Sequence, residues 1–147
     1  MHYEGSIVID RPADEVWAFL SDFFNSPRLR PGFLGWRSTS PGPLGAGSTA
    51  QGRVVILGFE TRLKARIIEW DPPRGMVMTM TGRPINAYRD RMTLEVLKEG
   101  TKVSRSTELD PSPMFKPLLA LYWPFFERQQ RAVFENAKRI LEGGSAW

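Results

Sequence analysis

Tyr88, Asp90 and Arg105 are the residues whose types and spacing best suit chemistry in this chain. On a strand, Tyr88 and Asp90 fall in phase with Met92, Leu94 and Val96, so all five side chains point to one face. An acid on a mostly apolar face needs a reason. Asp90 is expected either to accept a hydrogen bond from a ligand hydroxyl, or exchange a proton with it at a pKa raised by desolvation, or to lie near a strand end and pair with an arginine. Arg105 shares the inward phase with Val103, Thr107 and Leu109. There it would polarise a ketone or enolate, anchor a carboxylate through two N–H groups, or carry its charged head to the mouth of a cavity.

Apolar residues supply the rest of a candidate binding surface. Met76, Met78 and Met80 alternate along one run, giving either a deformable wall or ordinary core. Phe19, Trp36, Trp123 and Phe126 add aromatic area of the kind that lines small-molecule sites. With Tyr88, Asp90, Met92 and Arg105 they form the expected ligand-binding set, and Tyr88, Asp90 and Arg105 are also the catalytic candidates.

Other chemistries lack their residues. Cys is absent and His2 is the sole histidine, expected to fray at the chain end, so thiolate catalysis, a histidine base and His- or Cys-built zinc sites are excluded, and no metal or cofactor is expected. No phosphate-binding glycine string occurs; the glycines of Pro41 to Ser48 alternate with prolines and suit a loop at a pocket rim. Glu69 and Asp71 lie close together, but Pro72 and Pro73 mark a turn where charges face solvent. The net charge is +4, with Lys and Arg scattered along the chain, so no nucleic acid partner is expected.

MHYEGSIVID lacks the basic start, apolar core and cleavage site of a secretory signal, so export is not expected, and Leu118 to Phe126 falls far short of the roughly 20 apolar residues that span a bilayer. A cytoplasmic protein is expected, as monomer or homodimer. Met114 to Phe126 carries more apolar residues than one helical stripe, with Lys116 and Arg128 at its flanks. It is expected to gate a pocket, or else to touch a membrane or a larger partner peripherally.

The elements that must position these groups follow from periodicity. Tyr3 to Ile9 alternates as a strand, and Pro12, Asp14 and Glu15 open a helix whose apolar face is Val16, Trp17, Phe19 and Leu20. A short helical turn is expected over Asp22 to Asn25. Strands follow at Gly32 to Ser38, Ser48 to Leu57, Phe59 to Trp70, Gly75 to Thr81, Ala87 to Leu97 and Thr101 to Leu109. Closing the KEGT hairpin between Lys98 and Thr101 sets Leu94 beside Arg105 and Met92 beside Thr107, which keeps Arg105 away from Asp90. Pro117 to Glu142 is expected to be a helix, kinked or restarted at Pro124, with Phe126, Gln129 or Gln130, Val133, Ala137 and Ile140 as its buried stripe.

Ile7 to Gly32, the ARIIEWDPPRGMVM stretch (Ala65 to Met78), EGTKVSRSTEL (Glu99 to Leu109) and the final helix together resemble the START-like, or SRPBCC, superfamily, in its polyketide cyclase/dehydrase and lipid-transport branch. The resemblance covers nearly the whole chain, residues 1–147 being read as one domain. It implies an α+β helix-grip (Bet v 1-like) fold: a seven-stranded curved antiparallel sheet, two short helices, and a long C-terminal helix over a cavity. It also implies a hydrophobic ligand such as a lipid or polyketide. A cofactor-independent cyclase or dehydratase, with Asp90 as proton acceptor, Arg105 as enolate stabiliser and Tyr88 as donor, is the alternative, as is an accessory protein docking on a membrane or complex.

Overall fold

A computed structural model describes residues 1–22, 33–56, 58–83 and 85–143. Its strands are β1 (His2–Ile9), β2 (Phe33–Ser38), β3 (Thr49–Ile56), β4 (Phe59–Asp71), β5 (Gly75–Gly82), β6 (Ile85–Leu97) and β7 (Gly100–Pro111). All pair antiparallel in one sheet, in the order β1-β7-β6-β5-β4-β3-β2. Register shifts in β2, β4, β5 and β6 interrupt the ladders, and such irregularities bend strands and help a sheet to curve. The expected turn over Asp22 to Asn25 falls largely outside the described residues.

Helix α1 (Ala13–Leu20) starts after Pro12, with Asp14 and Glu15 in its first turn at the positive end of the dipole. It buries Val16 and Trp17, and the Trp17 ring meets Trp70 of β4 edge-on at 5.1 Å. Because Trp70 pairs with Met76, and Met76 with Met92, α1 closes that end of the sheet. Helix α2 (Lys116–Gly143), entered through a single 3-10 turn at Pro113–Phe115, runs on through Pro124 rather than restarting there. Pro124 has no N–H for the Ala120 carbonyl, so one helical hydrogen bond is missing in the first half of α2.

The helix is fastened at its far end. Glu142 accepts hydrogen bonds from the Asp10 amide (2.8 Å) and the Lys138 ammonium (2.7 Å), while Lys138 also donates to the Val8 carbonyl (2.8 Å). His2 is not frayed: it pairs with Glu108 across β1 and β7, and its Nε2 lies 3.1 Å from Glu4.

The β6–β7 hairpin turns at Lys98 and Glu99, with Leu97 facing Gly100, so the register differs from expectation by two residues. Gly100 begins β7 at φ +135°, a conformation that side-chain-bearing residues rarely adopt, and a side chain there would also run into the Ile9 carbonyl at the end of β1. The glycine serves both the turn and a close approach between strands. Each side chain keeps its face, but Arg105 now opposes Met92, and Asp90 opposes Thr107.

Candidate functional site

On the concave face a polar cluster sits within an apolar surface. Asp90 is in mid-strand and not near a strand end, between Tyr88 and Met92. Both of its carboxylate oxygens accept from Arg105 Nε at 2.9 Å, and Oδ1 also accepts from the Thr107 hydroxyl at 2.9 Å. Arg105 Nη1 donates to Gln130 Oε1 on α2 at 2.8 Å, and Nη2 approaches the Tyr88 hydroxyl at 3.4 Å. The expectation that Arg105 lies too far from Asp90 is therefore corrected. The arginine does not reach for solvent either, its side chain being only 12% exposed.

Burial by itself pulls the Arg105 pKa down, but the Asp90 carboxylate, helped by Tyr88, outweighs it and holds the guanidinium above its ordinary value. The cation is permanent. It can bind or polarise, but it cannot exchange a proton.

Beside this cluster lies a cavity of about 60 Å³, walled by Val54, Leu63, Met80 and Tyr88 from the sheet and by Leu119, Tyr122, Trp123, Phe126, Gln129 and Gln130 from α2. Trp123 stacks on Phe126 at 4.7 Å, and the Tyr122 hydroxyl donates to Gln129 at 3.1 Å. Tyr88 and Gln130 thus belong to both the cavity wall and the polar cluster.

Of the expected ligand-binding residues, Met80, Tyr88, Trp123 and Phe126 line this cavity. Asp90 and Arg105 stand behind Tyr88 and do not form part of the wall. Met76 and Met92 are packed at the α1 end, Met78 lies between Ile67 and Asp90, and Phe19 packs partly buried against the core. Trp36 fills the space over Gly52, where a Cβ would come within 2.6–2.8 Å of its ring. Alternation along a strand names a face; it does not say which part of that face a helix covers. The loop Pro41 to Ser48 gives Leu44 to the core and no residue to the cavity wall. Glu69 and Asp71, at the end of β4 before the Pro72–Pro73 turn, face solvent as expected, bound there by Arg91 and Arg74.

Gln130 was legible only as an ambiguity, a glutamine on an apolar stripe; it is 1% exposed and carries α2 onto Arg105. Gln129 was the other half of that ambiguity, and Tyr122 gave no separate signal, since its importance rests on the rotation of α2. Among the described residues no group of acidic, His or Cys side chains is arranged to hold a metal, and no helix is long and apolar enough to cross a membrane.

A curved seven-stranded antiparallel sheet with a long C-terminal helix laid across it defines a helix-grip, Bet v 1-like protein. Residues 1–142 match the model of the family described as Polyketide cyclase / dehydrase and lipid transport, and the chain belongs to that family.

Among curated relatives, Uncharacterized protein Rv1546 of Mycobacterium tuberculosis is 33% identical over 84 residues, 57% of this chain and 59% of that protein, so the chain spans less than two thirds of its length. Toxin Rv0910 of the same species is 27% identical over 141 residues, covering 95% of this chain and 96% of that one. Similar solved structures include TTHA0849 from Thermus thermophilus (TM-score 0.80, 16% identity, 99% of this chain and 100% of that one). The Zhui aromatase/cyclase from Streptomyces sp. R1128 follows with TM-score 0.74 and 17% identity, over 100% of this chain and 99% of that one. At these identities the structures speak for the fold.

Proposed function

We propose that this protein binds a small hydrophobic molecule, a lipid, polyketide or similar compound, between the sheet and α2. The observation that carries this reading is the apolar cavity beside Tyr88, whose hydroxyl is backed by the buried Arg105 charge. Affinity would come from burial at about 25 cal/mol per Å2 of apolar surface. Orientation would come from a ligand carbonyl or hydroxyl meeting Tyr88, Gln129 or Gln130. The family description, which joins cyclisation with lipid transport, is consistent with such a ligand.

The cavity of about 60 Å³ is a fraction of the roughly 300–1,000 Å3 that ligand pockets usually offer. Binding therefore requires the first half of α2 to move outward. That half carries the Pro124 interruption, whereas the second half is tied to β1 through Glu142 and Lys138. With the second half tied, the part of α2 that would swing is the Pro124 half, about the tied end as pivot.

A cofactor-independent cyclase or dehydratase is the second reading, favoured by the Tyr88–Arg105 pair, which would stabilise an enolate oxygen. Asp90 suits the role of proton acceptor poorly, because both its oxygens are already engaged and it stands outside the cavity wall. A cytoplasmic carrier, monomeric or homodimeric, is the setting in which we place either activity.

Native mass spectrometry of gently purified protein, followed by organic extraction, tests the proposal. A stoichiometric hydrophobic molecule released on unfolding is the expected result. An empty chain that no fatty acid, polyketide or apolar dye stabilises against heat would overturn it.

A further inference from the structure

Four of the nine large apolar side chains that stand exposed among the described residues lie on one short segment: Met114 (83% exposed), Leu118 (52%), Leu121 (81%) and Phe125 (48%). They follow the 3-10 turn into the first half of α2, whose other side gives Leu119, Tyr122, Trp123 and Phe126 to the cavity wall. Between Pro113 and Phe125 nine side chains are exposed, and Lys116 is the one among them that carries a charge. A contiguous apolar patch of this kind marks a surface that something covers.

The spacing points to a helix as the cover. Steps of four, three and four residues are the alternating d and a positions of a heptad, the seam along which one helix packs on another. The series also reads the same in both directions. Laid antiparallel on a second copy about a two-fold axis, Met114 falls opposite the partner's Phe125 and Leu118 opposite the partner's Leu121, so every apolar side chain meets an apolar one. The residues that flank the seam are Phe115, Pro117, Tyr122 and Pro124, none of which carries a charge to repel an identical helix. A parallel pair would instead extend the seam to Arg128, the next d position, and set that charge against its own copy. With the exposures above, the four side chains offer roughly 500 Å2 per copy, about 1,000 Å2 for the pair, the size at which specific interfaces begin.

We propose that two copies of this chain pair through the outer side of the first half of α2, antiparallel about a two-fold axis, with Leu118 and Leu121 at the centre. The pairing stands on this surface alone. That it braces the cavity wall which ligand entry must displace is a consequence that rests on the binding reading above.

Sedimentation velocity of the full chain, from about 1 µM to about 500 µM, should show monomer passing into dimer, as fits an interface of this size. Leu121→Glu puts a carboxylate opposite the partner's Leu118 twice in each pair. It should weaken dimerisation by about a hundredfold or more and leave the melting temperature of the dilute protein unchanged. Val96→Glu, at a position 76% exposed on β6, should dimerise like the parent. The chain has no cysteine, so single introduced cysteines report the orientation. Mixed under a mild oxidant, Met114→Cys and Phe125→Cys should cross-link to each other. Neither should cross-link to itself, since the antiparallel pair holds like positions about 16 Å apart along the helix axis. A chain that stays monomeric throughout, a dimer that Leu121→Glu does not weaken, or Met114→Cys bridging to its own copy would overturn the proposal. So would a monomer that binds phosphatidylcholine vesicles through Leu121, since the stripe would then be a lipid contact. At dimer-forming concentration an apolar dye should enter Leu121→Glu faster than the parent; equal rates would remove the bracing, while sedimentation decides the pairing separately.

Discussion

At the scale of single residues, the Asp90–Arg105 pair sets the character of the concave face. Two opposite charges at 10% and 12% side-chain exposure are stabilising only because each oxygen and most donors have partners. Arg105→Ala should cost about 3–5 kcal/mol in denaturant unfolding, since it leaves the Asp90 carboxylate buried and uncompensated. Replacing both, Asp90→Leu with Arg105→Met, should recover most of that loss. Stability that stayed low in the double variant would mean that the pair is irreplaceable for packing. Tyr88→Phe keeps the packing and removes the hydroxyl, so it should lower affinity for a retained ligand by about 1 kcal/mol with little effect on melting. Calorimetric titration would show it.

At the scale of elements, the tie that holds the C-terminal end of α2 to β1 depends on pH. The Asp10 amide and the Lys138 ammonium hold the Glu142 carboxyl below its ordinary value of 4.5. Its stabilising contribution is therefore complete above that value and disappears as pH falls through the lower folded pKa. Glu142→Gln should lower stability near neutrality, where the carboxylate contributes fully, and converge with the parent as pH falls through the lowered pKa, as read from urea midpoints across pH. Gly52 makes a different kind of contact, carrying the Trp36 ring from the neighbouring strand. Gly52→Ala should push that ring off β3 and cost about 1–3 kcal/mol, which thermal unfolding would register. The hairpin at Lys98 and Glu99 shows how an element is read nearly right: both strands and both faces were legible from alternation. The pairing was not, because Gly100 is set by the approach of Ile9, a residue 91 positions away in sequence.

At the scale of the molecule, ligand and fold are linked. A compound that fits the opened cavity at 100 times its Kd should stabilise the chain by about 2.7 kcal/mol. For a chain of this size that is a rise in Tm on the order of 5–10 °C, measurable by scanning fluorimetry.

The sequence by itself determined the order of the seven strands and of α1 and α2, and the inward phase of Tyr88, Asp90 and Arg105, because these depend on periods of two and 3.6 and on local turn residues, while the resemblance carried by particular stretches such as Ile7 to Gly32 named the fold. Tertiary structure alone decided that Arg105 grips Asp90, that Gln130 joins them, and that Met80 reaches the cavity while Met76 does not. Each of those facts is a matter of register or of which helix covers which stretch of sheet, and register is set by contacts between residues far apart in the chain.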